Sequence, residues 1–307
     1  MRLSTKSHFI PLTLAATGLL FTGSAVAAPI VMEGDYVRTA VSDNGTLGAG
    51  GSADPGIIHD PSGTRDWGPE DYLTPGTPWE WFGVQSAQTG LVGNNNAYTS
   101  GDIGAISGPT DLSGGSADNH VSWLGQYSDL FTISHNYSFN DDDERIDVLT
   151  TITALQDLSD VKFVRAIDPD PDVNTHGSYD TTNTRGTTGV AEEDFVNSQG
   201  GMTGLTLGLY TQSDITHNSG ISAPWSTDPD AYLAGVNDGD GDYAIGLGFD
   251  IGSLFSGELV NLSYSYVMGE TLDTVDLPTG QVPEPGTLAL LGLGLTGVYV
   301  SRRRKLR

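Results

Sequence analysis

No cysteine occurs anywhere in the 307 residues. Disulfides, thiol nucleophiles and thiolate zinc sites are therefore excluded, and packing, with or without an oxygen-bound metal ion, must hold the fold. Positive charge is scarce as well. Thirteen Lys and Arg stand against 39 Asp and Glu, a formal net charge of −26. Seven of the cations (Arg2, Lys6, Arg302, Arg303, Arg304, Lys305 and Arg307) lie at the two ends of the chain. The 258 residues from Ala28 to Pro285 keep six cations, with Lys162 the single lysine, and all 39 acids, for a formal charge of −33. Such a body repels phosphate, which excludes a nucleic-acid partner. It is kept soluble by its charge and meets an anionic polymer only where divalent cations bridge the two.

Helical periodicity with capping signals is also missing from the body. The pattern there is alternation. In FTISHNYSF, Phe131, Ile133, His135, Tyr137 and Phe139 share one face, and Thr132, Ser134, Asn136 and Ser138 share the other. ELVNLSYSYVM repeats the pattern with Val260, Leu262, Tyr264, Tyr266 and Met268 on its apolar side. This is the mark of strands buried on one face. RIDVLTTITAL, DVKFVRAID and GLTLGLYT are weaker members of the class. Clusters such as NGTLGAGGSADPG, NDDDE and GDGD separate them and favour turns. The expected fold is all-β, an antiparallel β-sandwich over residues 28–281, extended or in two parts, with a possible division near 108–119 where Gly, Ser and Asp dominate.

No HExxH pair, Gly-x-Ser-x-Gly elbow or P-loop is present. His59, His120, His135, His176 and His217 are scattered, and His135 on its apolar strand face reads as a packed histidine rather than a ligand. Two acidic loops are the candidates for chemistry. Asp168, Asp170 and Asp172 alternate with prolines directly after an expected strand, and Asp238, Asp240 and Asp242 alternate with glycines. Alternate Asp residues in a tight loop aim several hard oxygens at one point, the environment Ca²⁺ prefers. Neither is an EF-hand: Tyr243 stands where the required Gly would be and Phe249 where the closing Glu would be. The competing explanation is a solvated turn, since Asp favours turns. Asp141, Asp142, Asp143 and Glu144 lie between two expected strands and read as a hairpin turn. Trp67, Tyr72, Trp79, Trp81 and Phe82 gather in the first third, with Trp225 and Tyr232 in a later Pro/Asp loop. Loop tryptophans can stack on sugar rings, but the alternating WEWF favours packing.

The ends carry the clearest message. Arg2 and Lys6, the apolar run Phe9 to Phe21 and the Ala25-Val26-Ala27 pattern make residues 1–27 a secretory signal peptide, cleaved before Ala28. At the other end, Pro283-Glu284-Pro285 bars a continuing helix. Gly286 to Val300 is an uncharged Gly/Leu-rich run, as a helix roughly 22 Å long. That length is short for a durable span of the membrane, and Arg302, Arg303 and Arg304 hold the end on the cytoplasmic side. Residues 282–307, in this order, resemble the sorting tail of PEP-CTERM proteins. The resemblance implies export through the translocon, removal of the signal by signal peptidase, transient inner-membrane anchoring and processing by an exosortase-like enzyme, usually beside exopolysaccharide production. The ectodomain has a fainter similarity to the extended super-sandwich modules of bacterial surface proteins.

Taken together, the sequence leads to the expectation of an exported, non-enzymatic protein of the cell surface or exopolysaccharide matrix, with Ca²⁺ stiffening its acidic loops. The alternatives are a secreted polysaccharide-degrading enzyme that uses carboxylates or calcium, and an ice- or surface-binding protein. The last would call for a regular Thr or Asp array, and no short-period repeat supplies one.

Overall fold

A computed structural model describes residues 28–98, 101–187 and 189–278. The signal segment 1–27, the sorting tripeptide Pro283, Glu284 and Pro285, and the Arg302–Arg304 cluster lie outside the described residues. Among those residues no helix is long and apolar enough to cross a membrane.

The strands form three antiparallel sheets. A small one at the N-terminus joins β1 (Ile30–Glu33), β2 (Val37–Val41) and β3 (Ile57–His59). The other strands are β4 (Glu80–Ser86), β5 (Gly90–Asn95), β6 (Gly104–Asp111), β7 (Asn119–Tyr127), β8 (Phe131–Phe139), β9 (Arg145–Ala154) and β10 (Leu158–Ile167). After a single helical turn, α1 (Val173–His176), come β11 (Thr181–Arg185), β12 (Phe195–Gly200), β13 (Thr206–Tyr210) and β14 (Thr216–Ser222). The short helix α2 (Pro229–Leu233) precedes β15 (Ala244–Leu254) and β16 (Leu259–Gly269). The large sheet has the order β11-β12-β13-β16-β9-β8-β7-β6, and a five-stranded sheet has the order β14-β15-β10-β4-β5.

These two sheets face each other across one apolar cluster, which makes the fold an extended sandwich. Phe82 of β4 packs edge-on to Trp123 and His135 of the large sheet, while Phe163 of β10 and Phe249 of β15 meet Tyr264 of β16. The expected alternation holds through β7, β8 and β9 of the large sheet. In β8 the residues Phe131, Ile133, His135, Tyr137 and Phe139 are buried, and those between them face outward. The acidic run Asp141 to Glu144 is the turn from β8 to β9. The Gly/Ser stretch 108–119 runs from the end of β6 through the hairpin into β7, within the large sheet.

Alternation fades in DVKFVRAID for a physical reason. β10 is the middle strand of its sheet, and from Phe163 to Ile167 every residue is buried, since its outer face is covered by α2. Asp228 caps α2 by accepting from the Asp230 amide at 3.0 Å, with Pro229 at its first position. The helix seats Tyr232 against Gly246, where a Cβ would come within 2.5 Å of the ring, so only glycine permits this approach. Trp79 and Trp81 share this outer layer with Val164, Ala166, Tyr232 and Trp225. At five residues, α2 is too short for a helical period to register in the sequence.

Between the sheets lies a charge pair that water does not reach. Arg165 of β10 and Glu80 of β4 are both fully buried, with Nε 2.5 Å from Oε1. Tyr266 donates its hydroxyl to the same carboxylate at 2.6 Å, and the Leu47 amide donates to Oε2 at 2.9 Å. The guanidinium also lies 5.5–5.6 Å from the ring centroids of Phe82, Tyr137 and Tyr266. Burial alone would lower the Arg165 pKa, but the adjacent Glu80 carboxylate holds it well above its ordinary value. Next to it His135, fully buried, is pushed well below its ordinary value by desolvation and by the Arg165 charge. The Glu80→Ala variant leaves the guanidinium buried without its counter-ion and should lose about 3–5 kcal/mol of stability in urea unfolding. Adding Arg165→Met should restore most of that loss, because the double variant strands no charge.

Candidate metal centre

The first acidic loop begins where β10 ends. Asp168 follows Ile167 directly, and its amide donates to the Trp79 carbonyl at 3.0 Å; the Asp170 amide donates to Tyr72 at 2.8 Å. Pro169 and Pro171 stiffen the backbone between these anchors. Beyond them, Asn174 Nδ2 donates to Pro69 O at 2.6 Å and the Thr175 amide to Glu70 Oε1 at 3.0 Å. Asp172 turns away from its two partners. Its carboxylate accepts from the Met202 and Thr203 amides and from Thr203 Oγ1 at 2.5–3.0 Å, which caps a separate turn.

The second acidic loop is laced to the edge strand β11. The Gly241 amide donates to Thr181 O at 3.0 Å, and Thr181 Oγ1 donates back to Gly241 O at 2.9 Å. Asn183 Nδ2 donates to the carbonyls of Gly239 and Gly241, each at 3.2 Å. Gly241 sits at φ +143°, a conformation side-chain-bearing residues rarely adopt. Asp240 accepts from the Asn183 amide at 2.9 Å and Asp238 from the Ala223 amide at 2.7 Å. Both are thus spent on holding the loop, and Asp242 alone points onward.

It points at Asp168 and Asp170. One carboxylate oxygen from each of the three lies within 4.8 Å of the others. The sequence offers two loops of three aspartates, and the fold draws one centre from both. Asp168, Asp170 and Asp242 come together, while Asp172, Asp238 and Asp240 serve as acceptors for backbone amides. No spacing in the sequence announces this, because 72 positions separate Asp170 from Asp242. Among the described residues no other group of His, Asp or Glu converges in this way. His135 bonds to Thr150 at 2.8 Å, His59 to Glu144 at 2.8 Å and His217 to Asp194 at 2.9 Å.

The electrostatics of the three carboxylates are those of a group that could hold a cation. Asp168 and Asp170 are each 3% exposed, and the Oδ1 atom of each is buried without a hydrogen-bond partner. Desolvation first, then the Asp242 charge, pushes the Asp168 carboxyl up to about 8. Desolvation, followed by the charges of Asp168 and Asp242, pushes Asp170 up to about 9. Asp242, at the exposed rim, is raised chiefly by desolvation. Buried carboxylates in this state take up a proton or a cation. The donor set is all oxygen, which fits a hard divalent ion and not a soft one. Access is through a cavity of about 200 Å³ lined by Gly76, Thr77, Tyr179 and Trp225 together with the three aspartates.

Residues 281–305 match the PEP-CTERM protein-sorting motif, so the chain carries the tail of an exported protein that is anchored transiently in the membrane. No curated protein matches the chain. Among solved structures, a bacterial glucoamylase complexed with acarbose is similar at 12% identity and a TM-score of 0.55, over 82% of this chain and 33% of its own. The heparan sulfate lyase HepC from Pedobacter heparinus is matched at 9% identity and a TM-score of 0.35, over 78% of this chain and 36% of its own. The chain thus spans about a third of each of these proteins. The glucoamylase likeness is one of fold.

In the metal-free protein the pKa of Asp168 and Asp170 is higher folded than unfolded. The stability they contribute is therefore fully present below about pH 4 and is lost as the pH rises through 8 to 9. In EDTA the melting temperature should fall by about 5 °C or more between pH 6 and pH 9. The double variant Asp168→Asn/Asp170→Asn should lack most of that fall when the same melts are followed by circular dichroism.

Proposed function

We propose that this is an exported, non-enzymatic protein of the cell surface or exopolysaccharide matrix, delivered by its PEP-CTERM tail and stiffened by Ca²⁺ at Asp168, Asp170 and Asp242. The sorting motif at 281–305 is the observation that carries the destination. The ion is supported by the pair of buried, unpartnered carboxylate oxygens, on a loop anchored by backbone hydrogen bonds to Trp79 and Tyr72. Calcium is favoured over magnesium because it tolerates irregular all-oxygen coordination and sheds water readily. With the ion in place, the loop after β10 and the loop before β15 are joined, and two units of the body's −33 charge are neutralised.

Degradation of a polysaccharide is the second reading, and one feature favours it: burial and the neighbouring carboxylates push Asp168 up to about 8 and Asp170 up to about 9, in the direction a general acid needs. Glycoside cleavage, however, needs two carboxyls flanking the scissile bond at about 5–10 Å from each other. Here three converge on one point, which suits an ion better than a sugar bond.

Two outcomes test the proposal. Mixed with exopolysaccharide from the producing bacterium in Ca²⁺, the protein should co-sediment with the polymer and leave its size by light scattering unchanged; a shrinking polymer would establish an enzyme instead. In cells, replacing Pro283, Glu284 and Pro285 with alanine should trap unprocessed chain in the inner membrane, and normal maturation of that variant would remove the sorting route from the account.

A further inference from the structure

We propose that the ion at Asp168, Asp170 and Asp242 also binds ligand, capturing the vicinal diol of a neutral pyranose in the cavity walled by Tyr179 and Trp225. The inference rests on the metal reading above and extends it to a ligand class.

Coordination comes first. Two of the three carboxylates rise from the cavity floor, and Asp242 stands at its rim. Three carboxylates cannot by themselves enclose an ion that takes 6–8 oxygens at 2.3–2.6 Å, so its remaining positions face the opening. Adjacent hydroxyls on a sugar ring present two neutral oxygens at a spacing one cation can span. The cavity, at about 200 Å³, holds roughly six or seven waters, a volume comparable to one pyranose ring.

The walls fit the same ligand. Trp225 is braced by Trp79, with ring centroids 6.2 Å apart at 34°, so its orientation is set before anything binds. Tyr179 is 42% exposed and lies against Gly76, where a Cβ would sit 2.7 Å from the ring; any side chain at that position would displace it. An aromatic face packs on the C–H side of a sugar while the hydroxyl edge points away, here toward the ion. Charge selects a neutral ligand over an acidic one: three carboxylates with one divalent cation still leave a net negative centre, in a body already at −33. The segment that carries Tyr179 also lines a neighbouring groove of about 470 Å³ through Ser178 and Thr181, which gives the next residues of a glycan chain a place to run.

The intact chain is titrated first with CaCl₂ alone by calorimetry, and then, Ca²⁺-saturated, with methyl α-mannopyranoside, methyl β-galactopyranoside and methyl β-glucopyranoside, followed by tryptophan fluorescence and saturation-transfer NMR. The expected result is binding of at least one glycoside that disappears in EDTA. Tyr179→Ala, at an exposed position, should weaken it by about tenfold with the Ca²⁺ affinity unchanged, and Trp225→Ala should weaken it by at least as much. Calcium binding with no response to any of the three glycosides would overturn this inference and leave the metal centre standing. Glycoside binding that persists in EDTA, or that neither aromatic variant weakens, would also overturn it. Failure to bind calcium would overturn both, and the first titration reveals it.

Discussion

The buried contact between Arg165 and Glu80 is the constraint from which the rest of the sandwich follows. A charge pair shielded from water offsets its desolvation only when its geometry is kept and its surroundings close on it; here both carboxylate oxygens of Glu80 are met, while Nη1 and Nη2 of Arg165 have aromatic rings about them and no hydrogen-bond partner. That requirement reaches into every layer. Tyr266 of the large sheet, the Leu47 amide beyond β2 and the rings of Phe82 and Tyr137 all close on the pair. Tyr137 in turn donates to the Gly45 carbonyl at 2.6 Å, drawing the N-terminal loop over the same end of the core. The two sheets and the small N-terminal sheet are thereby held in one arrangement.

The same strand links that core to the acidic centre. Arg165 and Asp168 are three residues apart on and just beyond β10. Holding Arg165 inside the sandwich therefore sets where β10 ends and where the first two aspartates emerge. The opposite loop is positioned independently, by β11 through Thr181 and Asn183. Two rigid supports, each built from hydrogen bonds that leave one direction open, meet at a point that neither defines alone. Such an arrangement would have the three carboxylates in place before any ion arrived.

Excess acid has distinct uses in this protein. Asp60 accepts from the amides of Ser62, Thr64 and Asp66, which holds its carboxyl below the usual range although burial opposes this. Asp71 accepts from four amides and pins β3 to the following loop. Asp172, Asp238 and Asp240 act in the same way. In a chain without disulfides these carboxylate–amide clasps are a principal means of ordering long loops. Against that pattern, two buried carboxylates with unpaired oxygens stand out as groups meant for something other than the backbone.

Much of the fold was legible from residues alone. The period-two pattern in β8 and β16 defined the inner face of the large sheet, because a surface open to water on one side enforces alternation. The absence of cysteine and the scarcity of cations bounded the chemistry of the protein, and the sorting motif at 281–305 marked it as exported, since both act through composition and local order. β10, β13 and the outer tryptophan layer were less readable, because strands covered on both faces lose their polar positions. The acidic loops were legible as loops and as oxygen-rich. Which three of their six aspartates share a centre was decided only when β10 and β11 brought residues 72 positions apart to within 4.8 Å. Sequence determines what each segment is able to do; long-range packing determines which segments meet, and a metal centre depends on that meeting.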